Sequence, residues 1–209
     1  MEILLKNELF KGLSLDDINK VIEEVEGIIK IFHKNEVIIT PKEKIKVFGI
    51  VLSGSVMGVH NDYWGHRTIL KILEENELFG EAFSFSQLDN TGISIVCNKE
   101  AKVLLINFEK LLEIDNRKII QNMMMILASK NVFLTRKMEY LSKRSIKDKL
   151  LSYLSDEAMN NKSNKFYIPY NRQELADFLG VDRSALSSEL SKLKAEGILN
   201  FNKNYFELL

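Results

Sequence analysis

The sequence has a single cysteine, two prolines and no long apolar run, and each shortage excludes a class of protein. One thiol, Cys97, cannot form an internal disulfide or supply the four thiolates of an ordinary iron–sulfur cluster. No segment approaches the roughly 18 apolar residues that a membrane helix needs. The first eight residues lack the basic segment and the cleavage site of a signal peptide. We therefore expect a cytoplasmic protein without an iron–sulfur cluster or a membrane partner.

The chain also lacks a net charge and the motifs of common enzymes. Its 29 basic and 29 acidic residues balance, although residues 142–209 carry 11 basic and 9 acidic residues against 18 and 20 in residues 1–141. Binding to a nucleic acid would thus depend on the local placement of cations rather than on a net positive charge of the whole chain. A Gly-rich phosphate loop, a nucleophile elbow and a zinc-ligand spacing around the 3 histidines are missing. We predict no enzyme and no metal site.

Residues 171–199 have the pattern of two short helices joined by a tight turn. Asn171 can cap the first helix, Glu174 can complete a capping box, and Gly180 can end the helix in the left-handed conformation. Asp182 can cap the second helix, whose apolar residues recur at spacings of four and three: Leu186, Leu190 and Leu193. Residues 199–201 and 205–208 flank three polar residues and predict a β-hairpin.

Small polar and basic side chains cover the other face of the second helix, as expected of a helix that enters the DNA major groove. Two more polar residues stand at the N-terminus of the first helix, where phosphate oxygens can bind. The predicted DNA-binding residues are Arg172, Gln173, Arg183, Ser184, Ser187, Ser188 and Lys192. The alternative is an ordinary helical hairpin with a solvated outer face.

Residues 28–106 form short β-rich runs between polar breaks, which is typical of a small antiparallel barrel or roll. The predicted strands cover residues 28–32, 37–40, 47–52, 56–59, 68–73, 93–97 and 101–106. Ser53 and Gly54 predict a hairpin turn between two of them. A helix over residues 14–25, capped by Ser14, precedes the strands, and residues 80–83 interrupt them with a turn or short helix.

A long helix is predicted from about residue 116 to residue 141. Its apolar residues alternate spacings of four and three, which is the a/d pattern of a helix paired with another helix. One polar member, Asn131, would fix the register of a two-stranded pair. The predicted dimer seam is Ile120, Met124, Leu127, Asn131, Leu134, Met138 and Leu141. The alternative is that the helix packs lengthwise on its own β-roll.

This order of segments resembles the Crp/Fnr family of bacterial transcription regulators over essentially the whole chain. Its most specific parts are Arg172-Gln173-Glu174-Leu175-Ala176, Val181-Asp182-Arg183-Ser184 and Leu78-Phe79-Gly80-Glu81. The resemblance implies an α+β fold, with a cyclic-nucleotide-binding-like β-roll effector domain (1–115), a dimerisation helix (116–141) and a winged helix-turn-helix DNA-binding domain (145–209). It also implies a homodimer that binds a palindromic operator in double-stranded DNA, contacts RNA polymerase and responds to a small-molecule effector.

Two departures from the family pattern bear on specificity. Family members that bind cyclic nucleotides have an arginine for the cyclic phosphate ten residues after the glutamate of Gly-Glu, and this chain has Thr91 there. One neutral hydroxyl is a poor substitute for a bidentate guanidinium, so we expect an effector other than cyclic AMP. The predicted effector-pocket residues are Gly80, Glu81, Ala82, Thr91, Gly92 and Met124. Ser184 and Ser188 also replace a base-reading Glu and Arg of many members, so the usual half-site is in doubt.

Three alternatives stay open at this point. The first is an effector-independent DNA binder with a degenerate roll, and the second is a ligand-binding or interaction module that no longer binds DNA. The third is a haem- or redox-sensing regulator, for which the ligand types are His33, His60, His66, Cys97, Met123, Met124 and Met125. Against a redox role, Cys97 lies in an apolar run that predicts a buried strand, where a thiol is inert.

Overall fold

The computed structural model describes residues 2–40, 45–64, 66–86 and 92–209. The chain forms two compact units, Met1–Lys130 and Asn131–Leu209. The division falls inside one long helix, α4 (Arg117–Ser142). The predicted division into 1–115, 116–141 and 145–209 treats this helix as a segment of its own, and it stays a prediction.

The first unit begins with two short 3₁₀ helices (Glu2–Lys6 and Glu8–Phe10) and the helix α1 (Leu15–Glu24). Ser14 Oγ accepts a hydrogen bond from the backbone N–H of Asp17, and the Asp17 carboxylate accepts one from the N–H of Ser14. This reciprocal capping box confirms the predicted start of the helix.

Among the described residues, six strands form one antiparallel sheet. They are β1 (Ile28–Phe32), β2 (Val37–Ile39), β3 (Val47–Asn61), β4 (Arg67–Leu73), β5 (Leu78–Phe79) and β6 (Ser94–Asn107). The main path runs β1-β6-β3-β4, while β2 pairs with β6 and β5 pairs with β3. The predicted β-roll is thereby confirmed.

The predicted hairpin turn at Ser53 and Gly54 is wrong, because β3 runs through both residues. Its register against β6 shifts there, from Ser53 opposite Lys102 to Ser55 opposite Lys99. Gly54 has a φ of +79°, and a Cβ at this position would lie 2.0 Å from the carbonyl oxygen of Glu100. The glycine therefore marks a β-bulge in a long strand, and a bulge and a turn have similar local sequences. The two strands predicted at residues 93–97 and 101–106 are likewise parts of one strand, β6, which begins at Ser94.

Replacing Gly54 by alanine should destabilise the roll by more than the strain of a positive φ alone. We expect Gly54→Ala to lower the free energy of unfolding by about 2 kcal/mol or more, measured by urea denaturation. Gly12→Ala is the matched control, because Gly12 has a similar φ of +82° and its Cβ would meet only the Lys118 side chain, at 3.7 Å. Equal destabilisation by the two variants would contradict the backbone clash.

The roll closes on helices through one buried apolar cluster. Between β5 and β6 lies α2 (Glu81–Ser86), and β6 leads into α3 (Phe108–Glu113) and then α4. The first half of α4 turns Ile119 and Met123 into this cluster, which also takes in strand residues such as Phe48, Ile50, Leu104 and Ile106. The start of the long helix is thus packed firmly on the roll.

The second unit continues from α4 into α5 (Ile146–Asn161), β7 (Lys165–Tyr167), α6 (Arg172–Leu179), α7 (Arg183–Ala195), β8 (Leu199–Asn202) and β9 (Tyr205–Leu208). The strands form a small antiparallel sheet in the order β7-β9-β8, in which β8 and β9 are the predicted hairpin. Asn171 and Glu174 form the predicted capping box, Gly180 has a φ of +60°, and Asp182 caps α7. The predicted winged helix-turn-helix is confirmed.

A lysine is buried among aromatic rings in this second unit. Lys137 on α4 is 5% exposed, and its Nζ lies 4.1 Å from the ring centroid of Phe178 on α6. The Phe178 ring also lies 5.3 Å from Tyr153 and 4.6 Å from Tyr170. Because burial penalises the ammonium form, the pKa of Lys137 falls to about 7.

This burial predicts a pH-dependent stability. An unfolded lysine keeps a pKa near 10.4, so above the folded-state pKa the unfolded chain binds more protons than the folded chain. The free energy of unfolding should therefore rise from about pH 7 to about pH 10, by up to about 1.4 kcal/mol per pH unit. Lys137→Met should flatten this rise in urea denaturation measured at each pH. A variant with the same slope as the wild type would contradict the assignment to Lys137.

Candidate functional site

The outward face of α7 brings five of the predicted DNA-binding residues together. Leu186, Leu190 and Leu193 are fully buried and fix the inward face of the helix. On the other side, at helical spacings of three and four, are the exposed Arg183, Ser184, Ser188 and Lys192 and the half-buried Ser187. The face combines cations and hydroxyl groups, which is the chemistry needed for phosphate and base-edge contacts.

Two of the predicted contact residues already have local partners. Ser184 donates a hydrogen bond from Oγ to the Asp182 carboxylate that caps α7, so its hydroxyl oxygen is left to accept one. Gln173 on α6 donates from Nε2 to Asp177 Oδ1 at 2.7 Å. For Gln173 to bind a phosphate oxygen through that amide hydrogen, it has to release Asp177.

Arg172, the first residue of α6, contacts the wing, which is the hairpin formed by β8 and β9. Its guanidinium lies 5.0 Å from the ring centroid of Phe201 on β8, and its Nη2 donates to the carbonyl oxygen of Lys203 at 3.5 Å. Burial lowers the pKa of Arg172, and the charge of Arg183 lowers it further. The two guanidinium groups are therefore within electrostatic reach of each other, which favours a polyanion beside them.

Sequence reasoning did not assign a role to three residues of this surface. Lys194 on α7 has its Nζ 5.6 Å from the centroid of the same Phe201 ring, and Lys203 is exposed at the tip of the β8–β9 turn. A basic residue between two asparagines in the hairpin was the available signal for Lys203. Phe201 carried no such signal, because its role depends on a contact with Arg172.

In the first unit, the predicted effector residues Gly80, Glu81 and Ala82 share one turn at the start of α2. Glu81 is 1% exposed, so its carboxylate points into the protein. Gly80 has a φ of +82°, and its carbonyl oxygen accepts a hydrogen bond from Ser84 Oγ at 3.0 Å. This turn delivers a carboxylate to the interior at the point where α4 packs on the roll.

The Glu81 carboxylate is paired with Lys130, a residue of α4 that was not predicted to take part. Lys130 Nζ lies 2.7 Å from Glu81 Oε1 and donates to the carbonyl oxygen of Leu78 at 2.5 Å. Burial lowers the pKa of Lys130, and the charge of Glu81 opposes that shift. In the part of the chain that the structure describes, Glu81 Oε2 is buried and accepts no hydrogen bond.

The other predicted effector residues are placed less closely around this carboxylate. The Gly92 backbone lies beside the His60 ring, since a Cβ on Gly92 would be 3.6 Å from His60 Cδ2. Met124 is 65% exposed on α4, so it belongs to the outer surface of the isolated chain. Thr91 lies outside the described residues.

The candidate ligand types for haem occupy different surroundings. The exposed His33 and His66 pair with Glu100 and Asp62, and Met123 is in the core. Cys97 is buried, and two carbonyl oxygens lie within reach of its single thiol hydrogen, those of Lys99 at 3.0 Å and Phe32 at 3.3 Å from Sγ. Burial raises the pKa of the Cys97 thiol, and the predicted buried strand around Cys97 is confirmed. Within the described ranges, no group of three or more His, Cys, Asp or Glu residues is arranged to hold a metal ion.

Two family models match the chain in the order of its two folded parts. The model of the cyclic nucleotide-binding domain matches residues 29–118, which cover the roll. The model of the Crp-like helix-turn-helix domain matches residues 148–209, which cover the winged helix-turn-helix. The two ranges together take in more than half of the chain.

Solved structures share the whole architecture at low sequence identity. A mutant of CooA from Carboxydothermus hydrogenoformans is 21% identical, with a TM-score of 0.77 over 98% of this chain and 89% of that chain. FixK2 from Bradyrhizobium japonicum is 18% identical, with a TM-score of 0.71 over 87% and 92%. The c-di-GMP responsive global regulator CLP from Xanthomonas campestris is 21% identical, with a TM-score of 0.67 over 91% and 98%. These likenesses establish the fold.

No curated protein matches the chain significantly. In the described residues, no helix is both long enough and apolar enough to cross a membrane. The family assignment depends on the two domain models, their order and the shared architecture. The chain belongs to the Crp/Fnr family, and it is a transcription regulator rather than an enzyme.

Proposed function

We propose that the chain acts as a homodimer that binds a palindromic operator in double-stranded DNA with sequence specificity. The observation that carries the proposal is the outward face of α7, where Arg183 and Lys192 flank exposed hydroxyl groups. Three buried leucines on the opposite face fix the orientation of this helix. In a dimer, two such helices enter major grooves about one helical turn apart, roughly 34 Å. Contact with RNA polymerase follows from the family and is part of the proposal.

The cationic side chains and the serine hydroxyl groups would make different kinds of contact with DNA. Arg183 and Lys192 are exposed cations that can neutralise phosphates, and the wing-held Arg172 lies close enough to Arg183 for their charges to interact. Ser184 and Ser188 can each make one hydrogen bond to several bases, so they specify a half-site less sharply than a bidentate pair. We therefore expect an operator in which other contacts or DNA shape supply part of the specificity.

The proposed dimer uses the outer side of α4. Along the predicted seam, Met124, Leu134 and Met138 are 65%, 47% and 70% exposed, and Asn131 lies exposed among them. A row of exposed apolar side chains along one helix is unfavourable in water and favours a partner helix. Ile120 and Leu127 are half-buried, and Leu127 also packs against the core of the roll.

Two modes of regulation are compatible with these residues, one with an effector and one without. A small molecule other than cyclic AMP is the first, because Thr91 replaces the phosphate-binding arginine. Effector-independent DNA binding is the second, and the contact between Glu81 and Lys130 favours it, because the carboxylate expected to bind a ribose-like hydroxyl is already engaged. In neither case do the residues present fit a cyclic nucleotide.

Selection of bound duplexes from a random DNA pool tests the proposed function, using purified protein without added ligand. We expect a palindromic sequence with two half-sites about one helical turn apart. If no sequence is enriched even after cell extract is added, DNA binding is refuted. The chain would then be an interaction or ligand-binding module.

A further inference from the structure

An ion pair between the buried Glu81 and the half-buried Lys130 links the roll to the long helix. Glu81 belongs to α2, whereas Lys130 belongs to α4. The ammonium group contacts α2, at 2.7 Å to Glu81 Oε1, and β5, at 2.5 Å to the carbonyl oxygen of Leu78. Since Glu81 Oε2 has no hydrogen-bond partner within the described ranges, Lys130 is central to satisfying this carboxylate.

A second ion pair acts on Lys130 in the described part of the chain. Lys71 and Glu77 form a second ion pair, and both act electrostatically on Lys130. Lys71 raises the cost of the Lys130 charge, while Glu77 and Glu81 reduce it. Two cations and two carboxylates therefore face one another where α4 meets the roll. Removing Lys130 would leave the buried Glu81 carboxylate without its closest counter-charge, which is strongly destabilising.

The ion pair with Lys130 also limits which ligand could bind the Glu81 carboxylate. A neutral hydroxyl group that displaced Lys130 from Glu81 would leave the buried carboxylate without its closest counter-charge. Loss of that contact costs more than a neutral hydrogen bond returns. A cyclic nucleotide would also lack the arginine that pairs with its phosphate in the family, because the sequence has Thr91 at that position. Lys130 therefore prevents a ribose-like hydroxyl group from binding to the Glu81 carboxylate.

We propose that Lys130 is the internal ligand of the roll: its ammonium group occupies the carboxylate that a diffusible effector would otherwise bind, and it holds the first half of α4 in place without an effector. This proposal rests on the proposed DNA-binding function, because the placement of α4 is then what the dimer needs for operator binding. It makes Lys130 a positioning residue, and it makes the chain competent for DNA binding as synthesised.

Chemical rescue of Lys130→Ala tests the proposal. The substitution removes three carbons and the ammonium group, and n-propylammonium supplies the same atoms. We expect wild-type protein to bind the selected operator without ligand, and added cyclic AMP to leave its Kd unchanged. Lys130→Ala should weaken operator binding by about tenfold or more, and millimolar n-propylammonium should restore most of the loss. The same amine should raise the Tm of the variant and leave that of the wild type unchanged.

Two controls separate the ion pair from general effects. 1-Propanol has the same three carbons without the charge and should not restore binding. Lys118→Ala removes another lysine of α4 that bonds a backbone carbonyl, Gly12 O at 2.7 Å, but is exposed. It should keep the wild-type affinity and show no response to the amine.

The outcomes distinguish this proposal from the proposed function. It is overturned if Lys130→Ala binds the operator like the wild type, if propanol rescues as well as the amine, or if the amine rescues nothing in a folded dimer. It is also overturned, with DNA binding intact, if the wild type binds the operator only after cell extract is added. If the wild type binds no DNA under any condition, the proposed function fails, and the Tm response to the amine still decides whether Lys130 is an internal ligand.

Discussion

Arg172→Ala combined with Arg183→Ala should reduce operator affinity by about 100-fold or more, which corresponds to about 2.7 kcal/mol. The reason is that both guanidinium groups lie on the surface formed by α6, α7 and the wing. A dimer has two such surfaces, so the double variant removes both guanidinium groups from each half-site. Lost contacts of this kind cost about 1–3 kcal/mol each. Fluorescence anisotropy with a labelled duplex measures the effect, and the salt dependence of the Kd should weaken at the same time.

A control with the same change in charge keeps this prediction specific. Lys20→Ala combined with Lys30→Ala removes two exposed cations from the roll, and it should change operator affinity by less than about threefold at moderate salt. If the two double variants lose affinity equally, binding depends on net charge and not on the proposed surface. If neither loses affinity, α7 is not the DNA-binding helix.

Leu134→Asp should raise the dimer dissociation constant by about 100-fold or more. In the isolated chain this side chain is 47% exposed, so a carboxylate there costs the folded monomer little. In the proposed dimer two carboxylates would be buried near each other in the seam, where their charges repel. Sedimentation equilibrium measures the association, and operator affinity should fall with it because both half-sites must be bound together.

Ser129→Asp is the matched control for the seam. Ser129 is also exposed on α4, but its position on the helix is about 160° away from Asn131. It should leave the dimer intact, while circular dichroism checks that both variants keep their helices. A Leu134→Asp protein that sediments as a wild-type dimer would show that the chain pairs through another surface.

Short-range hydrogen bonds explain which elements the sequence by itself predicts well. The cap of α1 at Ser14 and the cap of α6 at Asn171 join residues three positions apart, so the donor and acceptor are both visible in a short window. Gly180 between α6 and α7 is a signal of the same kind, because its left-handed conformation is a local requirement. The helix-turn-helix and the polar face of α7 were therefore predictable.

The bulge at Gly54 shows where local signals stop. Ser-Gly favours a turn in any short window, and only the pairing of β3 with β6 decides that the strand continues. What excludes a side chain there is the carbonyl oxygen of Glu100, on a different strand. The same long-range pairing joins residues 93–97 and 101–106 into a single strand.

The sequence alone determined the caps, the long amphipathic helix and the two-domain order, because each depends on residues a few positions apart. Only the tertiary structure decided the two contacts on which the proposals depend: Arg172 against Phe201, and Lys130 against Leu78 and Glu81. Lys130 and Leu78 are 52 positions apart in the chain. A lysine on a helix is ordinarily a solvated residue, and the role proposed for Lys130 depends on its contact with a buried carboxylate that another element delivers.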